Sequence, residues 1–220
     1  MRRLNPRVHL PGLITGLFRD AVWRVGTTEQ AVFLTFDDGP VPEITLWVLD
    51  LLRREEVPAT FFCVGENVEK YPDVYRRILD EGHSVGNHTF NHVQGLRETN
   101  DEYYDNINKA ARLINSNLFR PPHGKMKATQ YHHLKRKFRI IMWDVVSCDY
   151  DARLTPEDVF RNIRHFVRPG SVITFHDSVK ARQNLKVALP LAIRWIKNHG
   201  YRFEAISYQK LTETNLYTSS

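Results

Sequence analysis

The sequence predicts a parallel α/β fold on two observations. Short apolar runs alternate with longer amphipathic stretches along nearly the whole chain, and the polar clusters fall where the apolar runs end. Folds of this class place ligand-binding residues at the carboxyl ends of their strands, whether the sheet is open or closed into a barrel. The pattern alone does not choose between those two forms.

Ala31 to Phe36 reads as a buried strand closed by Asp37-Asp38-Gly39-Pro40, and helical spacing follows from Thr45 to Arg54. Ala59 to Val64 is the next strand. Pro72 to Glu81 is a helix stopped by Gly82, and Ser84-Val85-Gly86 is a short strand or turn leading into His88-Thr89-Phe90-Asn91-His92. A longer helix spans Thr99 to Asn115, with Tyr103, Ile107, Ala110, Leu113 and Ile114 at three- and four-residue spacings. After Phe119 and Arg120-Pro121-Pro122-His123-Gly124, a helix is expected over Ala128 to Lys137 and one apolar strand over Arg139 to Val146. Thr155 is placed as an N-cap, with proline at the first helical position and acids in the first turn. Val172 to Phe175 is a strand, Leu185 to Asn198 a helix ending near Gly200, and Tyr201 to Ile206 the closing strand.

With 220 residues, 42% of them hydrophobic, the chain suits one domain that needs no disulfide or structural metal to fold. The reading assigns residues 1–29 to a segment packing on the fold, 30–210 to a single domain and 211–220 to a tail. Disorder is excluded by composition. The net charge of +6 is dispersed, with no basic run of five, which argues against nucleic acid as a partner. Cys63 and Cys148 lack metal-ligand spacing and are expected to pack as small apolar residues, a disulfide between them being left open. No apolar run is long enough to span a membrane. The first residues lack a convincing small-residue cleavage site, so the sequence points to the cytoplasm, with the cell envelope, and peripheral membrane contact by the N-terminal segment, left open.

The chemistry-bearing residues stand at strand ends. Asp37 and Asp38 are adjacent acids that would repel unless one meets a cation and the other takes a proton. His88 and His92 are four apart, which on a helical turn would put both imidazoles on one face, as zinc sites use them. That spacing is weak by itself; with Asp38 it becomes two nitrogens and a carboxylate with a position open to water. Arg120, Asp144, Ser147, Asp149 and the pair His176-Asp177 mark further strand ends, each ordinary when taken singly.

Together these segments resemble the polysaccharide deacetylases of the NodB-homology type. Five match in order: Thr35 to Pro40, His88 to His92, Arg120 to Gly124, Trp143 to Tyr150 and Ile173 to Asp177. The resemblance covers roughly residues 30–208. It implies a distorted (β/α) barrel of about seven strands and a hydrolase that removes acetyl groups from N-acetylated sugars. It also implies a divalent metal cofactor, zinc foremost, with cobalt, nickel or iron as alternatives. The roles it implies are Asp37 as general base, Asp38, His88 and His92 as metal ligands, Arg120 as the residue orienting the base, His176 as general acid and Asp149 as its carboxylate partner. His123 matches the residue whose backbone N–H faces the oxyanion, and Pro122, Tyr150, Thr174 and Phe175 are assigned to the substrate pocket.

Three positions depart from the family pattern. His123 stands where Tyr or Phe is usual, Tyr150 where Trp is usual, and Thr174 in place of a leucine lining the acyl pocket. The Thr174 hydroxyl raises the expectation of a smaller or more polar acyl group. An O-acetyl esterase, a deformylase acting on a lipid-linked sugar, and an inactive glycan-binding module are the alternatives; oligomeric state is left open.

Overall fold

The structure, a computed structural model of the chain, describes residues 8, 18–27, 29–208 and 211. Among them are eight parallel strands: β1 (Ala31–Asp37), β2 (Thr60–Cys63), β3 (Ser84–Asn87), β4 (Leu118–Phe119), β5 (Arg139–Ile140), β6 (Val145–Val146), β7 (Val172–His176) and β8 (Arg202–Phe203). Seven of them follow the order β5-β4-β3-β2-β1-β7-β6, and β8 pairs with the start of β1. The helices are α1 (Pro42–Arg54), α2 (Gly65–Lys70), α3 (Pro72–Asp80), α4 (Asn100–Ala111), α5 (Ala128–Leu134), α6 (Pro156–Phe166) and α7 (Arg182–Asn198). The result is a distorted (β/α) barrel, as the resemblance implies.

Strand alternation divides the core into two layers. Phe36, Phe61 and Phe175 point outward and pack with Ile44, Val48 and Leu189 from the helices. Phe33, Phe62, Leu118, Ile141 and Val172 fill the barrel's interior. On the inward face of β1, Phe33 is followed by Thr35 and Asp37, so the interior changes from apolar floor to polar site along one strand.

No ladder joins β5 to β6 among the described residues; a stretch of the N-terminal segment lies across that gap. Val22 bridges to Ile141 and Arg24 to Ser171, while the Val25 N–H donates to the Gly170 carbonyl. Phe18 packs edge-on against Tyr131. Most of residues 1–17, and all of 212–220, fall outside the described residues, and with them most of the stretch assigned membrane contact and the tail. No helix among the described residues is long and apolar enough to cross a membrane. Cys63 and Cys148 are buried, and no disulfide joins them.

The local expectations hold at several ends. Thr155 caps α6 by accepting from the Asp158 N–H, and Thr99 caps α4 with Glu102 in the same way. Two expectations are corrected. Arg139 to Val146 is two short strands, because Met142 to Asp144 leaves the β5 ladder and the Asp144 N–H turns to the Val172 carbonyl. His88 to His92 is a loop rather than a helical turn, with Thr89 at φ 65° and His92 at φ 60°.

Candidate active site

A cavity of about 490 Å³ opens at the carboxyl ends of the strands, and Asp37, Asp38, His88, His92, His123, Tyr150, Thr174 and His176 all line it. The backbone around it is bent unusually. Of the six non-glycine residues with positive φ among the described residues, five lie in these loops: Asp38, Thr89, His92, His123 and Cys148. Such conformations persist where surrounding contacts over-determine them.

Asp37 ends β1 beside two neighbours, in register with Phe62 of β2 and His176 of β7. Its carboxylate accepts from Arg120 Nη1 at 2.6 Å. Arg120 is completely buried, and its guanidinium also donates to Thr35 Oγ1 at 2.8 Å, the Ile141 carbonyl at 3.2 Å and the Met142 carbonyl at 2.9 Å. It lies over the Phe62 ring, 4.0 Å from the centroid. Burial pulls its proton affinity down, opposed by the Asp37 charge. An arginine so enclosed cannot swing away, so Asp37 has a single place to be.

Asp38 follows in a left-handed turn, its carbonyl held by Asn67 Nδ2 at 2.8 Å. Its Oδ1 lies 3.1 Å from His92 Nε2 and 3.8 Å from His88 Nε2. Burial pushes the Asp38 carboxyl up, but the hydrogen bond with His92 and the nearby imidazoles outweigh it and leave it well below the usual carboxylate range. His88 follows β3, and its Nδ1–H donates to the Arg120 carbonyl at 2.7 Å, which fixes the tautomer and leaves Nε2 bare towards Asp38. Burial, together with His92, holds His88 down to about 4 against the pull of Asp37 and Asp38, so its ring is neutral at neutral pH. His92 is brought round by a loop that Asn87 and Asn106 hold: Asn87 Oδ1 accepts from the Thr89 N–H and Asn106 Oδ1 from the Phe90 N–H.

The ligand atoms of Asp38, His88 and His92 all lie within 4.8 Å of one another. Two imidazole nitrogens, one carboxylate oxygen and a second-sphere carbonyl on His88 fit a divalent transition metal, with the cavity left as the open side.

Across the cavity, His176 Nδ1 is 2.7 Å from Asp149 Oδ1, and the His176 N–H donates to Asp149 Oδ2 at 2.9 Å. Burial opposes the imidazolium, yet Asp149 outweighs it and raises His176 to about 9. The Tyr150 ring stands edge-on to His176 at 4.8 Å. The His123 ring stands edge-on to His92 at 4.8 Å.

Two residues assigned to the pocket are placed elsewhere. Phe175 is fully buried among the outward core residues, because β7 alternation turns Thr174 and His176 inward and Phe175 away. Pro122 is buried in the turn Pro122–Gly124 and does not line the cavity. Asp144 is held by Arg168 and Ser171 outside the cavity. Thr174 lines it, but its hydroxyl lies 3.1 Å from Thr35 Oγ1. Since Thr35 donates its one proton to the Ile173 carbonyl, Thr174 must donate to Thr35, so its hydroxyl proton is already committed.

Asp177 has a part that sequence reasoning did not assign to it. It is buried, its Oδ1 accepts from the Gly39 N–H at 3.1 Å, and its Oδ2 accepts from the Thr45 hydroxyl at 2.6 Å. Its own N–H donates to the Asp37 carbonyl. Burial lifts its carboxyl to about 7, against the hydrogen bond from Thr45. A Cβ on Gly39 would come within 2.0 Å of Asp177, so the turn after the two acids requires glycine. The signal lay in Asp177 following His176 at a strand end; Asn106, on α4, had none.

Residues 24–137 match the family model described as polysaccharide deacetylase. The chain belongs to that family. It is 36% identical over 183 residues to a peptidoglycan-N-acetylglucosamine deacetylase of Bacillus cereus, covering 80% of this chain and 66% of that protein. Its fold is similar to the crystal structure of the Bc1960 peptidoglycan N-acetylglucosamine deacetylase, with a TM-score of 0.79 and 34% identity over 87% of this chain and 92% of that one. It is also similar to BA3943 of Bacillus anthracis, a CE4 family pseudoenzyme, with a TM-score of 0.75 and 25% identity over 88% of this chain and 68% of that one. Likeness of fold in this family therefore extends to an inactive member, and the side chains of the site must carry the argument about activity.

Proposed function

We propose that this protein is a metal-dependent deacetylase that hydrolyses the N-acetyl group of an N-acetylglucosamine-containing glycan or oligosaccharide. The observation that carries the reading is the coexistence, around one cavity, of a base with its counter-ion, an acid with its counter-ion and a three-residue metal set. Binding a glycan requires none of these, which speaks against an inactive module. The relatives named as peptidoglycan-N-acetylglucosamine deacetylases support the substrate class.

Asp38, His88 and His92 would hold the metal, zinc suiting two imidazoles and a carboxylate. When bound, it supplies Lewis-acid polarisation of the acyl carbonyl and lowers the proton affinity of the attacking water. Asp37, fixed by Arg120, takes the proton of that water as it attacks. The His123 N–H, which has no protein acceptor among the described residues, donates to the oxyanion; such a donor is worth roughly 3 kcal/mol. His176, kept protonated by Asp149, gives its proton to the departing amine. Base and acid come from neighbouring strands and act on opposite ends of one reaction.

The test is acetate or formate release from N-acetylglucosamine oligomers, O-acetylated xylan and acylated lipid-linked sugars assayed side by side. Release from the N-acetylated oligomers, lost in Asp37→Asn with metal retained, is expected. Release only from the xylan or the lipid-linked sugars would replace this reading with the esterase or deformylase.

A further inference from the structure

Acids are missing from two stretches of the chain. No basic run reaches five residues, yet residues 1–19 hold four arginines, residues 106–143 hold nine lysines and arginines, and neither stretch contains an aspartate or a glutamate. The other 163 residues carry 18 basic and 25 acidic side chains, so the net charge of +6 belongs to a strongly polarised molecule. Of the nine cations in 106–143 only Arg120 is buried, against Asp37.

The fold brings the two stretches together. Phe18 packs on Tyr131 of α5, the Asp20 N–H donates to the Tyr131 hydroxyl, and Asp20 pairs with Lys135 at 2.7 Å. That one acid answers several cations: the Lys135 hydrogen bond lowers its carboxyl below the usual range, and the charges of Arg139 and His132 add to the pull. Arg136 and Lys137 follow α5 and Arg112 follows α4, and the two loops adjoin, since the Arg139 N–H donates to the Asn117 carbonyl. Arg112, Arg136 and Lys137 are exposed and form no ion pair among the described residues, and Leu113 beside Arg112 is 37% exposed. The dipole of the seven-residue α5 accounts for a cation or two at its end, but not for Arg112 and Arg139, which lie off it. These loops lead from helices into strands, so they lie at the amino ends of the strands, opposite the cavity.

The charge calls for an anionic partner, and the apolar residues choose its kind. The sequence of residues 1–17 sets Arg2, Arg3 and Arg7 among Leu10, Leu13, Ile14 and Leu17, which is the composition of a segment that puts cations among lipid headgroups and leucines at the acyl boundary. Binding to nucleic acid would use the cations and leave the leucines without a purpose. We propose that the amino-end face formed by Arg112, Lys135, Arg136, Lys137 and Arg139, together with the basic and apolar side chains of residues 1–17, docks the protein on an anionic lipid bilayer with its cavity turned away from the membrane. Each basic residue near such a surface strengthens binding by about fivefold.

The test is sedimentation of the full chain with vesicles of phosphatidylcholine, with and without phosphatidylglycerol. Binding is expected only where phosphatidylglycerol is present, and it should weaken about tenfold or more in about 0.5 M salt. Arg136→Gln/Lys137→Gln should lower affinity for the anionic vesicles by about twentyfold, and Leu13→Ser/Ile14→Ser should lower it severalfold. Lys186→Gln/Arg194→Gln, which removes the same charge from exposed positions of α7, should stay within about twofold of the wild type. Thermal unfolding of each variant shows whether it is folded, and the Arg136→Gln/Lys137→Gln result decides by itself should the apolar variant fail to fold. Equal binding with and without phosphatidylglycerol, full affinity in a folded variant of either of the first two kinds, or an equal loss in Lys186→Gln/Arg194→Gln overturns the proposal. Tighter binding to duplex DNA than to the anionic vesicles also overturns it and makes the face a nucleic-acid surface.

Discussion

Asp37 and His176 are register partners on β1 and β7, yet each is bound to a different counter-ion, Asp37 to Arg120 at 2.6 Å and His176 to Asp149 at 2.7 Å. The two groups to which the proposed mechanism gives opposite proton transfers thus each have a counter-ion of their own, although their backbones are adjacent.

A pH profile should report this. His176 is raised from 6.5 to about 9, so the acid stays protonated through neutrality and kcat/KM should fall only as pH approaches 9. Asp149→Asn should move that alkaline limb towards 6.5 and lower kcat/KM at pH 8 by about tenfold or more. Stability follows the same sign: the raised group contributes fully below 6.5, and the contribution is lost as pH rises through about 9. A limb unmoved in Asp149→Asn would remove His176 from the role of acid.

Arg120→Met leaves the Asp37 carboxylate buried without its cation, which should cost about 3–5 kcal/mol in urea unfolding. Adding Asp37→Asn should recover part of that loss, since the unpaired charge is gone. No recovery in the double variant would mean that Arg120 acts through Thr35 and the two carbonyls rather than through Asp37.

Gly39→Ala should lower stability by about 1–3 kcal/mol through its collision with Asp177, and weaken metal binding with it, because Asp38 is the adjacent residue. Gly39→Ala/Asp177→Ala opens the space and should bind metal more tightly than Gly39→Ala alone. Metal titration of the two proteins checks the order.

Thr174→Val should cost about 1 kcal/mol of stability, because the hydroxyl is committed to Thr35 beneath Arg120. The acetyl-to-formyl preference should change little. A switch in acyl preference would restore the expectation that the hydroxyl reads the acyl group.

The fold was legible because period-two and period-3.6 patterns are local, and Thr155 and Gly82 mark their own ends. The polar clusters at strand ends were legible for the same reason. The His88–His92 spacing of four suits a helix turn, whereas here Asn87 and Asn106 hold a left-handed loop, and Asn106 lies on a distant helix. The resemblance assigns Phe175 to the pocket, but alternation with His176 turns it into the outer core. Arg120 follows strand β4 in the sequence, but its guanidinium reaches Thr35, Asp37, Phe62, Ile141 and Met142, partners that only the curled sheet brings together.

The most direct measurement is acetate release from N-acetylglucosamine oligomers by the metal-stripped protein before and after one equivalent of zinc is restored, with His88→Ala/His92→Ala treated in parallel. Activity is predicted to be lost on stripping, regained with zinc in the wild type, and absent from the variant throughout. Undiminished acetate release by the stripped protein, or equal activity in the His88→Ala/His92→Ala variant, would contradict the metal-dependent deacetylase account.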